Sequence, residues 1–146
     1  MMTDREFKYE QEPRAGLIPF RYNEAGTPEY LMMVSSDAKY GGSRPMISKG
    51  QIEGTESKLE AAIREAEEEL GFKRRNSRGE YHLLFDGRQE LYSCAYNLTV
   101  YGVEIQDKYD FDPWCYETEY VQWMTLEQFK QDGRRDHVKF VEASVS

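Results

Sequence analysis

Short apolar runs separated by turn formers organise the first fifty residues. AGLIPF at 15–20 reads as a strand. Pro19 within it predicts an edge position or a bulge, because proline cannot donate to a ladder. NEAGTPE at 23–29 is a turn, and YLMMV at 30–34 predicts a buried strand. The loop SSDAKYGGSRP at 35–45 leads into a short strand at 46–48. The period then changes. Leu59, Ala62, Ile63, Ala66 and Leu70 recur at helical spacing and mark one buried stripe. Ser57 and Glu60 form a capping box at its start, and Gly71 sits where a left-handed C-cap is wanted. A polar loop at 73–80 precedes two predicted strands, at about 81–86 and 91–103. In the second, Tyr92, Cys94, Tyr96, Leu98 and Val100 alternate onto one face. After a loop at 107–113, Tyr120–Met124 reads as a strand. Thr125 then caps a short helix, and a second helix around 136–143 closes the chain. The polar residues 1–13 read as a loose arm or a short first strand.

These elements fill 146 residues, which suits a single domain with one core. With 39% hydrophobic and 32% charged residues, the composition is that of a soluble globular protein. No apolar run is long enough to span a bilayer, and the N-terminus lacks a secretory pattern. Cys94 and Cys115 do not make a disulfide framework, so a cytoplasmic location is expected. Neither cysteine has a histidine at a telling spacing, which argues against a thiol nucleophile and a zinc site. His82 and His137 read as surface or packing residues. The net charge of −8 disfavours nonspecific binding to a nucleic-acid backbone. An anionic substrate would need bound metal or a basic patch.

The helical segment carries the candidate chemistry. At about 100° per residue, Glu65 and Glu69 lie one turn apart with Glu68 beside them, displaced to one side of the apolar stripe. Glu67 falls on the opposite flank and is expected in solvent. Like charges at these spacings weaken a helix, and a divalent cation removes that repulsion. Mg²⁺ takes oxygen ligands and keeps several waters, which leaves room for substrate phosphates. Arg64 is expected to rotate away from Glu65 and to fork onto Glu56, pinning loop to helix. Gly50 would let the backbone come close to a metal, with a carbonyl of Lys49 or Gly50 as a ligand. A run such as REAEEE taken alone is more often a solvated face. The full spacing changes that, since seven fixed letters match by chance at roughly one start in 10⁸.

From Gly50 to Phe72 the spacing is G-x5-E-x7-R-E-U-x-E-E-x-G-U, with U apolar. It closely resembles the signature of the Nudix (MutT-like) hydrolases. The resemblance implies an α/β fold, the Nudix α/β/α sandwich around a central mixed β-sheet, occupying residues 1–146 as one domain. It implies Mg²⁺, with Mn²⁺ as a substitute, on Glu65, Glu68 and Glu69, and a structural role for Arg64. Water would attack a phosphorus of a nucleoside diphosphate linked to another group. ISKG at 47–50 resembles the (L/F)PKG of dinucleoside polyphosphate hydrolases, with Ser48 in place of proline. ETEYVQW at 117–123 resembles the E-x5-W segment of the same subgroup. That match makes Glu117 a further ligand or the general base, alongside Glu65 and Glu69, and Trp123 a core residue. Ala66 is smaller than usual for its position.

Substrate choice is less legible. Tyr92 lies 20 residues beyond Phe72 and would either stack on a base or pack in the core. Lys39, Arg44 and Lys49 would either meet the phosphate chain or be ordinary loop charges, and Arg74, Arg75 and Arg78 read as solvated. Dinucleoside polyphosphates rank first. ADP-ribose and other nucleotide sugars follow, then RNA 5′ ends. A nucleotide-sensing module without chemistry is the alternative of another class, and the intact set of carboxylates argues against it. The expected partner is a small nucleotide, with no membrane, and the chain is a monomer or a homodimer.

Overall fold

In the computed structural model, residues 12–35, 44–71, 83–93, 96–105 and 118–144 are described. Strand β1 (Arg14–Tyr22) organises the sheet. Along one edge it runs parallel to β5 (Leu98–Ile105), from Arg14↔Leu98 to Phe20↔Glu104. Its other edge is shared. The first half pairs with β3 (Ser48–Gln51), from Arg14↔Gln51 to Leu17↔Ser48. The second half pairs with β2 (Pro28–Ser35), starting at Phe20↔Tyr30. With β4 (Leu83–Ser93) beyond β5 and β6 (Thr118–Thr125) beyond β2, the order is β4-β5-β1-β2-β6. The sheet is mixed, since β1 and β5 are parallel and the other pairings antiparallel.

Pro19 therefore sits on a central strand, not the expected edge. It falls where the shared edge changes partner from β3 to β2. A residue that cannot donate to a ladder stands at the break in that ladder.

Strict alternation makes both faces apolar. Ala15, Leu17, Leu31, Met33, Tyr101, Val103 and Ile105 face helix α1 (Lys58–Glu69). Ile18, Phe20, Tyr30, Met32, Leu98 and Val100 face the other way. There they meet Phe129 of α2 (Leu126–Asp132) and Phe140 and Val141 of α3 (Val138–Ala143). This is the expected α/β/α sandwich.

The strand expected over 91–103 is two strands. Asn97, at φ 46°, turns the chain between β4 and β5 in the left-handed region that asparagine tolerates. The alternation read across this turn missed it: Leu91 pairs with Val100 and Tyr92 with Thr99, so the positions that share a face change parity from one strand to the next. Leu98 and Val100 are buried, while Tyr92 is 49% exposed. The loops expected at 73–80 and 107–113 lie outside the described residues, as do Cys94 and Cys115.

Candidate active site

Helix α1 begins with the expected capping box. Ser57 Oγ accepts from the Glu60 N–H at 3.1 Å, and the Ser57 N–H donates to Glu60 Oε1 at 3.3 Å. Ala61, Ala62 and Ala66 are fully buried, so the helix lies close against β1 and β3 through small side chains. The small residue at position 66 belongs to this contact. At the other end Gly71 has φ 74°, the left-handed stop.

Close packing brings α1 against the segment 48–56. Arg64 ties the two together. Its Nε and Nη2 donate to Glu56 Oε2 and Oε1 at 2.8 and 3.1 Å, the expected fork. Nη2 also donates to the Gln51 carbonyl at 2.9 Å. Hydrogen bonding from Arg64 holds the Glu56 carboxyl below its ordinary range. Contrary to expectation, Arg64 does not turn away from Glu65: Nη1 donates to Glu65 Oε1 at 2.9 Å and lies 3.6 Å from Glu68 Oε1. Three rotatable methylenes and a broad guanidinium let one arginine serve both sides. An ammonium is a point donor and cannot hold the fork. Arg64→Lys is expected to lower the melting temperature and to open the 51–56 segment to proteolysis. An unchanged melting temperature would show that the fork does not hold the loop.

The three carboxylates differ. Glu65 lies against Gly50, where a Cβ would fall on its carboxylate group. Burial pushes its carboxyl up, and Arg64 opposes this. Glu69 Oε1 accepts from Ser48 Oγ and from the Lys49 N–H, both at 3.0 Å. Burial first, and the charge of Glu65 second, push Glu69 up to about 8. Glu68 is the most open, with 39% of its side chain exposed. Glu67, expected in solvent, is half-buried.

The structure thus gathers Glu65, Glu68, Glu69, Arg64, Glu56 and Gly50. It does not bring Tyr92 to them. Tyr92 Oη donates to Asn97 Oδ1 at 3.0 Å, and the ring lies 5.4 Å from Lys58 Nζ. Lys58 and Glu68 are about 15 Å apart along the helix axis. Neither is Tyr92 the core residue that was the alternative. Lys49 is divided: its N–H meets Glu69 on the α1 side, while its side chain enters a cavity with Arg14 and Arg134 behind β3. Burial and those two cations lower its ammonium to about 8. Arg44 is exposed. Glu117 and Lys39 lie outside the described residues. Trp123 is half-buried rather than central, with the Arg21 guanidinium 4.0 Å above its ring.

Two contributors had no sequence signal as such. Ser48, read only as a missing proline, supplies a hydroxyl that proline lacks. Thr118 Oγ1 donates to the Glu69 carbonyl at 2.7 Å, tying β6 to the end of α1.

Among the described residues no three acidic side chains yet surround a single point. Glu65 and Glu68 are turned to Arg64, and Glu69 to Ser48 and Lys49. The donor set still fits a hard cation. It is all oxygen, two of its carboxyls are destabilised as anions by burial, and Gly50 leaves the backbone open beside Glu65.

The NUDIX domain family model matches residues 12–143. Comparison of the sequence with curated proteins gives no match. Similar solved structures include an Ap4A hydrolase from C. elegans in a binary complex, with TM-score 0.67 and 20% identity over 90% of this chain and 93% of that one. RenU, a Nudix hydrolase from M. smegmatis, has TM-score 0.68 and 14% identity over 90% and 84%. The NUDIX domain of NrtR from Shewanella oneidensis, complexed with ADP ribose, has TM-score 0.57 and 15% identity over 97% and 96%. At these identities the likeness is one of fold. Nudix hydrolases generally need divalent metal ions, typically Mg²⁺. The match over residues 12–143, with the carboxylate helix at its centre, makes this chain a member of the Nudix family and a pyrophosphohydrolase of nucleoside diphosphate derivatives.

Proposed function

We propose that the chain hydrolyses a dinucleoside polyphosphate with Mg²⁺ held by Glu65, Glu68 and Glu69, assisted by a carbonyl of Lys49 or Gly50. The observation that carries this is the placement of three carboxylates on one flank of α1, with Glu65 seated on a glycine and Glu69 gripped by β3. When bound there, the ion neutralises phosphate charge and acidifies the attacking water. The chain's own groups do the rest. Arg64 and Glu56 keep the loop and helix in register. Ser48 and the Lys49 N–H orient Glu69. One carboxylate, from Glu65, Glu69 or Glu117, takes the proton of water. A new P–O bond forms at one phosphorus, the bridging P–O bond breaks, and the bridging oxygen leaves with the other product.

The choice of dinucleoside polyphosphate rests on ISKG at 47–50 and on Glu117 with Trp123, not on the structural neighbours. ADP-ribose and nucleotide sugars are the next candidates. A panel of diadenosine tetraphosphate, ADP-ribose, a nucleotide sugar and 5′-triphosphorylated RNA tests both levels. We expect hydrolysis in Mg²⁺, none in EDTA, and the highest kcat/KM with diadenosine tetraphosphate. Faster hydrolysis of ADP-ribose would overturn the substrate. No cleavage of any member with Mg²⁺ or Mn²⁺ would overturn the metal-assisted reading.

A further inference from the structure

The segment that grips the carboxylates changes partner just before it reaches them. Met46 bridges to Met33 of β2 through bonds of 2.9 and 2.8 Å, whereas Ser48 pairs with Leu17 of β1. Ile47 stands at the change. Its N–H is met from the far end of the chain, where His137 Nδ1 accepts it at 3.2 Å. His137 ends a 3₁₀ turn, Arg135–His137, that runs into α3. The residue before that turn holds the same segment a second time: the Arg134 N–H donates to the Pro45 carbonyl at 3.0 Å. Arg134 also forks onto Asp136, at 3.1 Å from Nε and 2.7 Å from Nη2, which keeps the turn in shape. Phe140 and Val141 of α3 anchor it in the core. His137, expected at the surface or as a packing residue, is 2% exposed. A bond made there is costly to leave unmade. An imidazole that accepts through Nδ1 is neutral and carries its proton on Nε2.

We propose that His137 is a positioning residue for Glu69, acting through residues 47–49. The path is short. One residue beyond Ile47, Ser48 Oγ donates to Glu69 Oε1, and two beyond, the Lys49 N–H donates to the same oxygen, both at 3.0 Å. Both donors lie at the very start of β3, a strand of four residues that pairs with β1 alone among the described strands. The end of so short a ladder opens easily unless something else holds it. His137 supplies that hold at the residue before the strand. Hydrogen bonds weaken steeply as donors swing out of line, and a metal ligand must be held to within about 0.5 Å of its working place. A looser Ile47 would therefore loosen Glu69. A residue that only filled the same volume would leave the Ile47 N–H unpaired and the strand start free to shift. The positioning is independent of what Glu69 does; its consequence for metal rests on the proposed function.

Three substitutions separate position from packing. His137→Asn puts an amide oxygen where Nδ1 stands, His137→Gln carries the same amide one bond further out, and His137→Leu has no acceptor. Amide hydrogen exchange in EDTA reads the metal-free strand. In His137→Leu and His137→Gln the Lys49 N–H is expected to exchange about tenfold faster relative to the Ala66 N–H of α1. In His137→Asn the ratio should match wild type. Taking the ratio to Ala66 removes any general loss of stability. Binding of Mn²⁺, followed by the paramagnetic resonance of the free ion, reads the consequence. Affinity is expected to fall about tenfold in His137→Leu and His137→Gln, the scale of losing an outer partner of a metal ligand, and to be kept in His137→Asn. An unchanged exchange ratio in His137→Leu and His137→Gln would overturn the proposal, and so would Mn²⁺ affinities equal to wild type in both. If His137→Leu does not fold, the comparison of His137→Asn with His137→Gln decides. Absence of Mn²⁺ binding in wild type would overturn the metal-assisted reading instead, and the exchange ratio would still decide the role of His137.

Discussion

Glu69→Gln is expected to lower kcat by about 10²- to 10⁴-fold while leaving the metal-free fold at least as stable. Glutamine keeps an oxygen that can accept from Ser48 Oγ and the Lys49 N–H, the two bonds that orient Glu69. It removes the negative charge, which is what a metal ion or an attacking water needs. It also removes a buried anion. The Glu69 carboxyl is pushed from an ordinary 4.5 to about 8 by burial and by Glu65. Between those values the folded state binds more protons than the unfolded one, so stability falls as pH rises. His137 acts oppositely: burial and Lys49 lower it from 6.5 to about 3, so its contribution to stability rises with pH and is complete by 6.5. Lys49, lowered from 10.5 to about 8, contributes only above 8. From pH 6.5 to 8 the slope therefore belongs to Glu69. In EDTA the wild-type melting temperature should decline across that window and the Glu69→Gln value should not. Mg²⁺ should flatten the wild-type curve, because an ion held by the carboxylates stabilises their charged form. A level wild-type curve in EDTA would mean that Glu69 is not a strained buried acid. Equal kcat in the two proteins would remove Glu69 from the chemistry.

Local features of α1 were legible because they depend on neighbours in sequence. The capping box at Ser57 and Glu60, the stop at Gly71 and the fork from Arg64 to Glu56 all lie within a few helical turns of each other. The two-faced sheet was legible too, since alternation in β1, β2 and β5 encodes both layers. What failed depends on which strand lies beside which. Pro19 reads as an edge residue until β3 and β2 divide one side of β1 between them. Tyr92 reads as core until the chain turns at Asn97. Lys49 reads as a contact of the phosphate chain or an ordinary loop charge, but β3 alternates, so Ser48 and Gly50 face α1 and the Lys49 side chain does not. The same alternation turns a hydroxyl at position 48 toward Glu69, where the family resemblance led one to look for a proline.

Gly50→Ala is expected to cost about 1–3 kcal/mol of stability and to lower kcat/KM about 100-fold. Gly50 is not among the residues of positive φ, so alanine meets no backbone strain there. The cause is contact alone, because a Cβ at this position would coincide with the Glu65 carboxylate. Two movements could make room. The helix could retreat, but fully buried Ala61, Ala62 and Ala66 already pack it against the sheet. Or Glu65 could swing out, losing its bond from Arg64 and its place beside Glu69. The second movement is the easier one, and it removes the carboxylate that the metal would need. Adding Glu65→Ala to Gly50→Ala should restore the lost stability without restoring activity. The coupling between the two substitutions is expected at about 0.5–3 kcal/mol. Strictly additive melting data would show that Gly50 and Glu65 do not compete for the same space, and Gly50 would then lose its role in seating the metal ligand.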